Sequence, residues 1–160
     1  MKKVLSIFIS SIILISSIGI IANADANNLV LVNEETQYLG QGYFATVSIY
    51  ENFVPILYTT AYTKSGSKVY TMRNKNGDVL WTFTLNGSFK VDSGKSSTCT
   101  SSNYSKKIIN DSWSLKSAST SKTSNKAIGD ATFQSKVLFI VTDEKSCHLE
   151  LICDKNGNLS

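Results

Sequence analysis

Four residues in the C-terminal half carry side chains capable of covalent or acid–base chemistry: Cys99, Cys147, His148 and Cys153. A thiol enzyme needs its cysteine and its base within hydrogen-bond reach. His148 is the only histidine, and on an extended chain its neighbour Cys147 points to the opposite face, so those two cannot act as nucleophile and base. The sequence leaves open a pairing of His148 with Cys99 or Cys153. Paired carboxylates are the other route to hydrolysis. Glu34-Glu35 and Asp143-Glu144 are sequence neighbours in polar surroundings, which suits turns and surface better than two acids on opposite sides of a sugar. Asp154, Asn156 and Asn158 begin like a calcium loop, but Gly157 arrives too early and no closing Glu follows.

A sortase-like transpeptidase is the specific enzyme worth testing, because its nucleophilic Cys ends a strand of an extracellular barrel. Here "LELIC" lacks the Thr of that motif, the sole arginine is Arg73, far upstream, and no histidine lies on a distant loop. Metal-ligand clusters, phosphate-binding glycine loops and serine elbows are also missing from the sequence. The expectation is a protein without catalytic residues, metal or cofactor.

The elements that position these residues are strands. Met1-Lys2-Lys3, an apolar run from Val4 to Ile21 and Ala22-Asn23-Ala24 read as a secretory signal with its cleavage site. This gives residues 1–24 as signal peptide and 25–160 as one secreted domain, large enough to bury a core. Neither a lipid-anchor Cys nor a wall-sorting motif accompanies it, so a product without a stable membrane anchor is expected. Setting aside Lys2 and Lys3 leaves 14 basic against 12 acidic side chains, a net of about +2. That balance is too small, and Lys106-Lys107 too short a run, to point to nucleic acid.

In "VYTMRNKNGDVLWTFTLNGSFKVD" (69–92), Trp81, Phe83, Leu85, Phe89 and Val91 fall on one face of a strand, with Gly87 in the same register. Asn76-Gly77 predicts a tight type I′ hairpin joining 69–74 to 78–91. Gly87 predicts a bulge or a close backbone approach. Tyr43, Ala45, Val47 and Ile49 alternate, and Ile56 to Thr63 is apolar, β-branched or aromatic. Further on, Trp113 and Leu115 alternate with polar residues, as do Ala127, Gly129, Ala131 and Phe133, and Leu149 and Leu151 lie in a last strand. Val137 to Val141 is a continuous apolar run, and Ile108-Ile109 have the composition of buried residues. The Ser-rich segment 93–126 reads either as strands packed through Trp113 and Leu115 or as a linker. "NKNGD" (74–78) and "DKNGN" (154–158) are alike, but their flanks differ, which indicates convergent turn chemistry. The fold class expected is all-β: an antiparallel β-sandwich, immunoglobulin-like or related.

In an extracellular setting a disulfide is chemically available. Cys147 and Cys153, six residues apart on one strand, are separated by roughly 20 Å, beyond the reach of a bridge. Cys99 then pairs with one of them, or all three stay reduced. Cys99–Cys153 is the favoured pair, with Cys147 as the free thiol. Six of the seven tyrosines lie between residues 38 and 70, and Tyr58, Tyr62 and Tyr70 are candidates for an amphipathic binding face, against the plainer reading that half of them are core.

The segments "KSGSKVYTMRNKNGDVLWTF", "SWSLKSASTSKTSNKAIGDATF" and "LELICDKNGNLS" together resemble a group of small secreted proteins of Gram-positive gut and soil bacteria without an established activity. That group's core, K-T-Y-T-Y-x-N-x-x-G-x-x-L-W, is matched by Val69 to Trp81; its central Cys, Trp strand and final Cys are matched by Cys99, Trp113 and Cys153. Cys147 stands outside the pattern, so the resemblance implies Cys99 and Cys153 as a structural pair. It implies secretion and a β fold, not a substrate. The function expected is a non-catalytic binding or structural module at the cell envelope, acting on wall polymer or a surface protein. The rivals are a secreted antimicrobial or toxin-like effector and an unrecognised enzyme.

Overall fold

The structure is a computed structural model that describes residues 29–52, 60–138 and 140–160. The leader 1–24, Tyr58 and the apolar beginning of the 56–63 segment lie outside the described residues. Eight strands follow one another: β1 (Leu29–Gly40), β2 (Tyr43–Asn52), β3 (Ala61–Arg73), β4 (Val79–Asp92), β5 (Ser96–Ile108), β6 (Trp113–Thr123), β7 (Lys126–Val137) and β8 (Ile140–Ile152). They form two antiparallel sheets, β1-β2-β3-β4-β5 and β6-β7-β8, packed as a β-sandwich. Each strand pairs with its sequence neighbour inside a sheet. The sandwich is therefore a meander, and the Greek-key connection that an immunoglobulin-like fold requires does not occur among the described strands.

The alternation read from β4 is the core. Trp81, Phe83, Leu85, Phe89 and Val91 are all fully buried and meet Ala127, Ala131, Phe133, Leu149 and Leu151 of the smaller sheet. Trp81 lies face to face with Phe133 at 3.8 Å between ring centroids and stacks on Tyr70 at 5.6 Å on its other side. At Gly87 the close approach is of side chains, and the register shift falls just beyond it. A Cβ there would stand 3.2 Å from Ala127 of the facing sheet, and the β4–β5 register shifts between Ser88 and Phe89.

Two local expectations are corrected, and two segments are placed. The β3–β4 connection is wider than a two-residue type I′ turn: the Gly77 N–H donates to the Asn74 carbonyl at 3.0 Å and only Gly77 has positive φ, a type I turn closed by a left-handed glycine. The Ser-rich segment forms β5 and β6 rather than a linker. Ile109 is exposed, not buried. Finally, the apolar run that begins at Val137 falls at the tip of the β7–β8 hairpin, where Val137 ends β7 and lies opposite Ile140, the first residue of β8.

The two long sides of the sandwich differ. On one side β5 and β6 are zipped together: the Cys99 N–H donates to the Ser124 carbonyl at 2.7 Å, the Thr120 hydroxyl to the Ser102 carbonyl at 3.4 Å, and Lys122 to the Thr100 carbonyl. On the other side β8 lies over β3, held by a 2.9 Å hydrogen bond from the Lys68 ammonium to the Glu150 carbonyl. A three-stranded sheet cannot cover five strands, so β1 and β2 project beyond β8 and the mouth stays open.

Candidate functional site

The open mouth is a cleft of about 480 Å³, within the range of small-ligand sites. Val47 and Ile49 of β2 form an apolar floor, and Asn33 and Glu35 of β1 form one wall. Pairing fixes this orientation, since Asn33 lies opposite Ile49 and Glu35 opposite Val47, so each pair shares the inner face. Glu150, Ile152 and His148 of β8 supply the other wall, with Ser160 at its end. Lys68 sits at the base, half-buried, and burial pushes its ammonium below the usual lysine range while the nearby Glu150 carboxylate acts in the opposite direction. One carboxylate on each wall, a half-buried ammonium and an apolar floor make a nearly neutral, amphipathic slot open at its outer side.

His148 stands on the rim with both ring nitrogens turned to acids: Nδ1 lies 2.7 Å from Asp130 and Nε2 lies 3.8 Å from Glu150. The hydrogen bond to Asp130 raises its pKa, and Glu150 adds to the effect. Glu150 in turn pairs with Lys126 at 2.9 Å. The row Lys126–Glu150–His148–Asp130 is a ladder of charges across β7 and β8 that favours an imidazolium cation.

The cysteines fit no catalytic arrangement with it. Cys147 is buried on the inner face with its pKa pushed up to about 12 by desolvation, while His148 is exposed on the outer one. Cys99 and Cys153 are also buried, and burial raises both thiols. All three cysteines are free thiols, which corrects the Cys99–Cys153 bridge. The strands do bring the two residues to either side of the β6–β7 turn, where Cys99 and Cys153 bond to the carbonyls of Ser124 and Asn125. Their sulfurs, however, point to the Ser101 and Asp154 carbonyls at 3.3 and 3.6 Å.

The tyrosine face is not assembled either. Tyr70 is buried against Trp81, with its pKa raised to about 12 by burial. Tyr62 lies under the C-terminal turn, its hydroxyl donating to the Asn156 carbonyl at 3.1 Å. Both belong to the inner face of β3, and Tyr58 lies outside the described residues. Three of the four paired acids are engaged in the fold, and Glu35 lines the cleft: Glu34 accepts from the Ser48 hydroxyl at 2.8 Å, and Asp143 and Glu144 pair with Lys145 and Lys116. The Asp154 carboxylate accepts the backbone N–H groups of Asn156 and Asn158 at 2.7 and 2.9 Å, which makes it the organiser of a turn. Asn74 does the same for Asn76 and Asp78 at 2.9 and 3.0 Å, so the two alike motifs share one turn geometry.

Asn33, Lys68 and Glu150 escaped sequence reasoning, and Glu35 drew notice only as half of an acidic pair. Lys68 left a signal, since it falls in register with Tyr62, Gly66 and Tyr70 on the face that β3 buries. The chain has no match among protein-family models, curated proteins or solved structures.

Proposed function

We propose that this chain is a secreted, non-catalytic binding module of the cell envelope, and that the cleft between β1–β2 and β8 is its binding site for a wall polymer. One observation carries the reading: a slot of about 480 Å³ with an apolar floor and hydrogen-bonding walls of nearly balanced charge, open along one side so that a chain longer than the slot can lie through it. Its polar groups are the types that hold hydroxyl and amide groups: a carboxamide, two carboxylates, an ammonium and a hydroxyl. The leader-like sequence of residues 1–24 supports an extracellular site of action, and the resemblance to small secreted proteins of Gram-positive bacteria agrees with it.

The test is co-sedimentation of the chain beginning at Asp25, which holds every described strand, with isolated Gram-positive cell walls across a salt series. A nearly neutral cleft predicts pelleting that persists at high salt and survives removal of anionic wall polymer, because screening acts on exposed charge and not on apolar or hydrogen-bonded contact. Pelleting abolished by salt or by stripping contradicts the cleft, and no pelleting contradicts the envelope reading.

A further inference from the structure

The turn of the β7–β8 hairpin breaks two rules at once. Leu138 is 86% exposed, and Val137, Ile140 and Val141 beside it are 56%, 69% and 45% exposed. Leu138 also has φ of +48°, a left-handed conformation that a hairpin turn usually fills with Asn, Asp or Gly. A leucine there is unfavourable for the backbone and unfavourable in water. Such an outlier at an exposed tip points to a use outside the fold.

The surroundings say what that use is. Ile109, 46% exposed, follows the end of β5 at the same pole, as the bond from its N–H to the Leu80 carbonyl shows. Tyr38 and Leu39, 59% and 40% exposed, lie at the end of β1 on that pole. These apolar side chains stand at separate strand ends of one pole. The pole carries seven of the basic side chains against four acidic ones. Lys116 and Lys145 are paired with Glu144 and Asp143. Arg73, Lys75, Lys106, Lys107 and Lys136 remain against Asp78 and Asp111, an excess of three positive charges. The remaining described residues hold seven of each sign, so the whole positive excess sits at this one pole. Protein interfaces have a continuous core depleted in lysine. Apolar tips set in a field of lysines instead match an anionic lipid surface, with side chains entering the acyl boundary and ammonium groups at the headgroups.

We infer that the β7–β8 hairpin is a membrane-docking tip: Val137, Leu138, Ile140 and Val141 insert shallowly into an anionic bilayer, and Lys136 with its neighbours on that pole binds the headgroups. The inference is independent of the cleft, which opens along the side of the sandwich. Docking by this end leaves the long cleft accessible.

The test is co-sedimentation of the chain beginning at Asp25 with vesicles of phosphatidylglycerol and phosphatidylcholine, against pure phosphatidylcholine. Binding to the anionic vesicles that weakens with salt is expected. Leu138→Asn suits the left-handed turn, so it should raise the melting temperature or leave it unchanged while weakening vesicle binding at least fivefold. Lys136→Glu should weaken it several-fold, and both variants should pellet with cell walls as the parent does. A parent chain that ignores anionic vesicles, or a Leu138→Asn variant that binds them equally well, overturns the inference. Self-association of the parent that Leu138→Asn abolishes overturns it too, in favour of a protein partner.

Discussion

Replacing Gly66 with alanine sets two effects of opposite sign against each other. Gly66 lies in the middle of β3, buried between Glu51 of β2 and Gly87 of β4, with a backbone conformation open to any residue. Alanine there gains roughly 0.5–1 kcal/mol by restricting the unfolded chain. A Cβ at that point, however, would stand 2.6 Å from the Tyr50 carbonyl oxygen and closer still to Leu159 Cδ1. Leu159 can turn aside; the Tyr50 carbonyl belongs to β2 and cannot withdraw without parting β2 from β3. Overpacking of this kind costs about 1–3 kcal/mol. The net expectation for Gly66→Ala is a loss of roughly 1–2 kcal/mol, read as a melting temperature lower by about 3–8 °C for a domain of this size. Thermal unfolding followed by far-ultraviolet circular dichroism, with urea unfolding at constant m-value as a check, measures it. An unchanged or raised melting temperature would refute the reasoning, because the entropic gain would then outweigh a backbone contact taken to be immovable.

Four further outcomes follow from the same geometry. In denaturant without reductant, Ellman's reagent should titrate three thiols per chain, as three free cysteines require; a single reactive thiol would show that a bridge forms. In the folded protein at pH 8, Cys147 should react far more slowly than an open thiol, since a pKa of about 12 leaves about one part in ten thousand as thiolate. Because His148 has a raised pKa, its contribution to stability is complete below about 6.5 and fades as pH rises through the folded value. His148 is more than half exposed, so the contribution is only a few tenths of a kcal/mol. His148→Gln should remove that slope, and an identical pH profile in both proteins would contradict the pairing. Asp154→Ala should cost about 1–2 kcal/mol by stranding the turn donors that carry Leu159 into place, whereas Asp154→Asn, which reproduces the Asn74 arrangement, should be nearly neutral; equal losses in both would contradict the shared geometry.

The sequence made legible the strands whose two faces differ. β4 and β7 alternate cleanly because each is buried on one side only, and β2 and β8 follow the same rule in part. β1 and β5 escaped notice for a physical reason. As sheet edges they expose both faces, so "LVLVNEETQYLG" and "SSTCTSSNYSKKI" show little period-two contrast. Composition alone could not place the apolar run 137–141, because the exposed Val137, Leu138, Ile140 and Val141 of a hairpin tip have the composition of a buried strand. The twin Asn/Asp-Gly turns were readable from residue type, although their wider loop depended on Asn74 and Asp154 capturing backbone N–H groups. The cleft was not readable at all. It arises from the mismatch between five strands and three, and strand count in each sheet is a tertiary fact that no local pattern records. The tyrosines misled because β-propensity places Tyr in strands whichever face it occupies.

The proposed site for wall polymer is the cleft, against Asn33 and Glu35. Both side chains sit on the exposed strand β1, so replacing them together with alanine should leave stability within about 0.5 kcal/mol of the parent for each change. The most direct measurement is a binding isotherm of parent and doubly substituted chains on isolated cell walls at high salt, with melting temperatures taken on the same samples. At least tenfold weaker binding at an unchanged melting temperature is expected of a polymer held by these two side chains. Parent-like binding by the doubly substituted chain would contradict it.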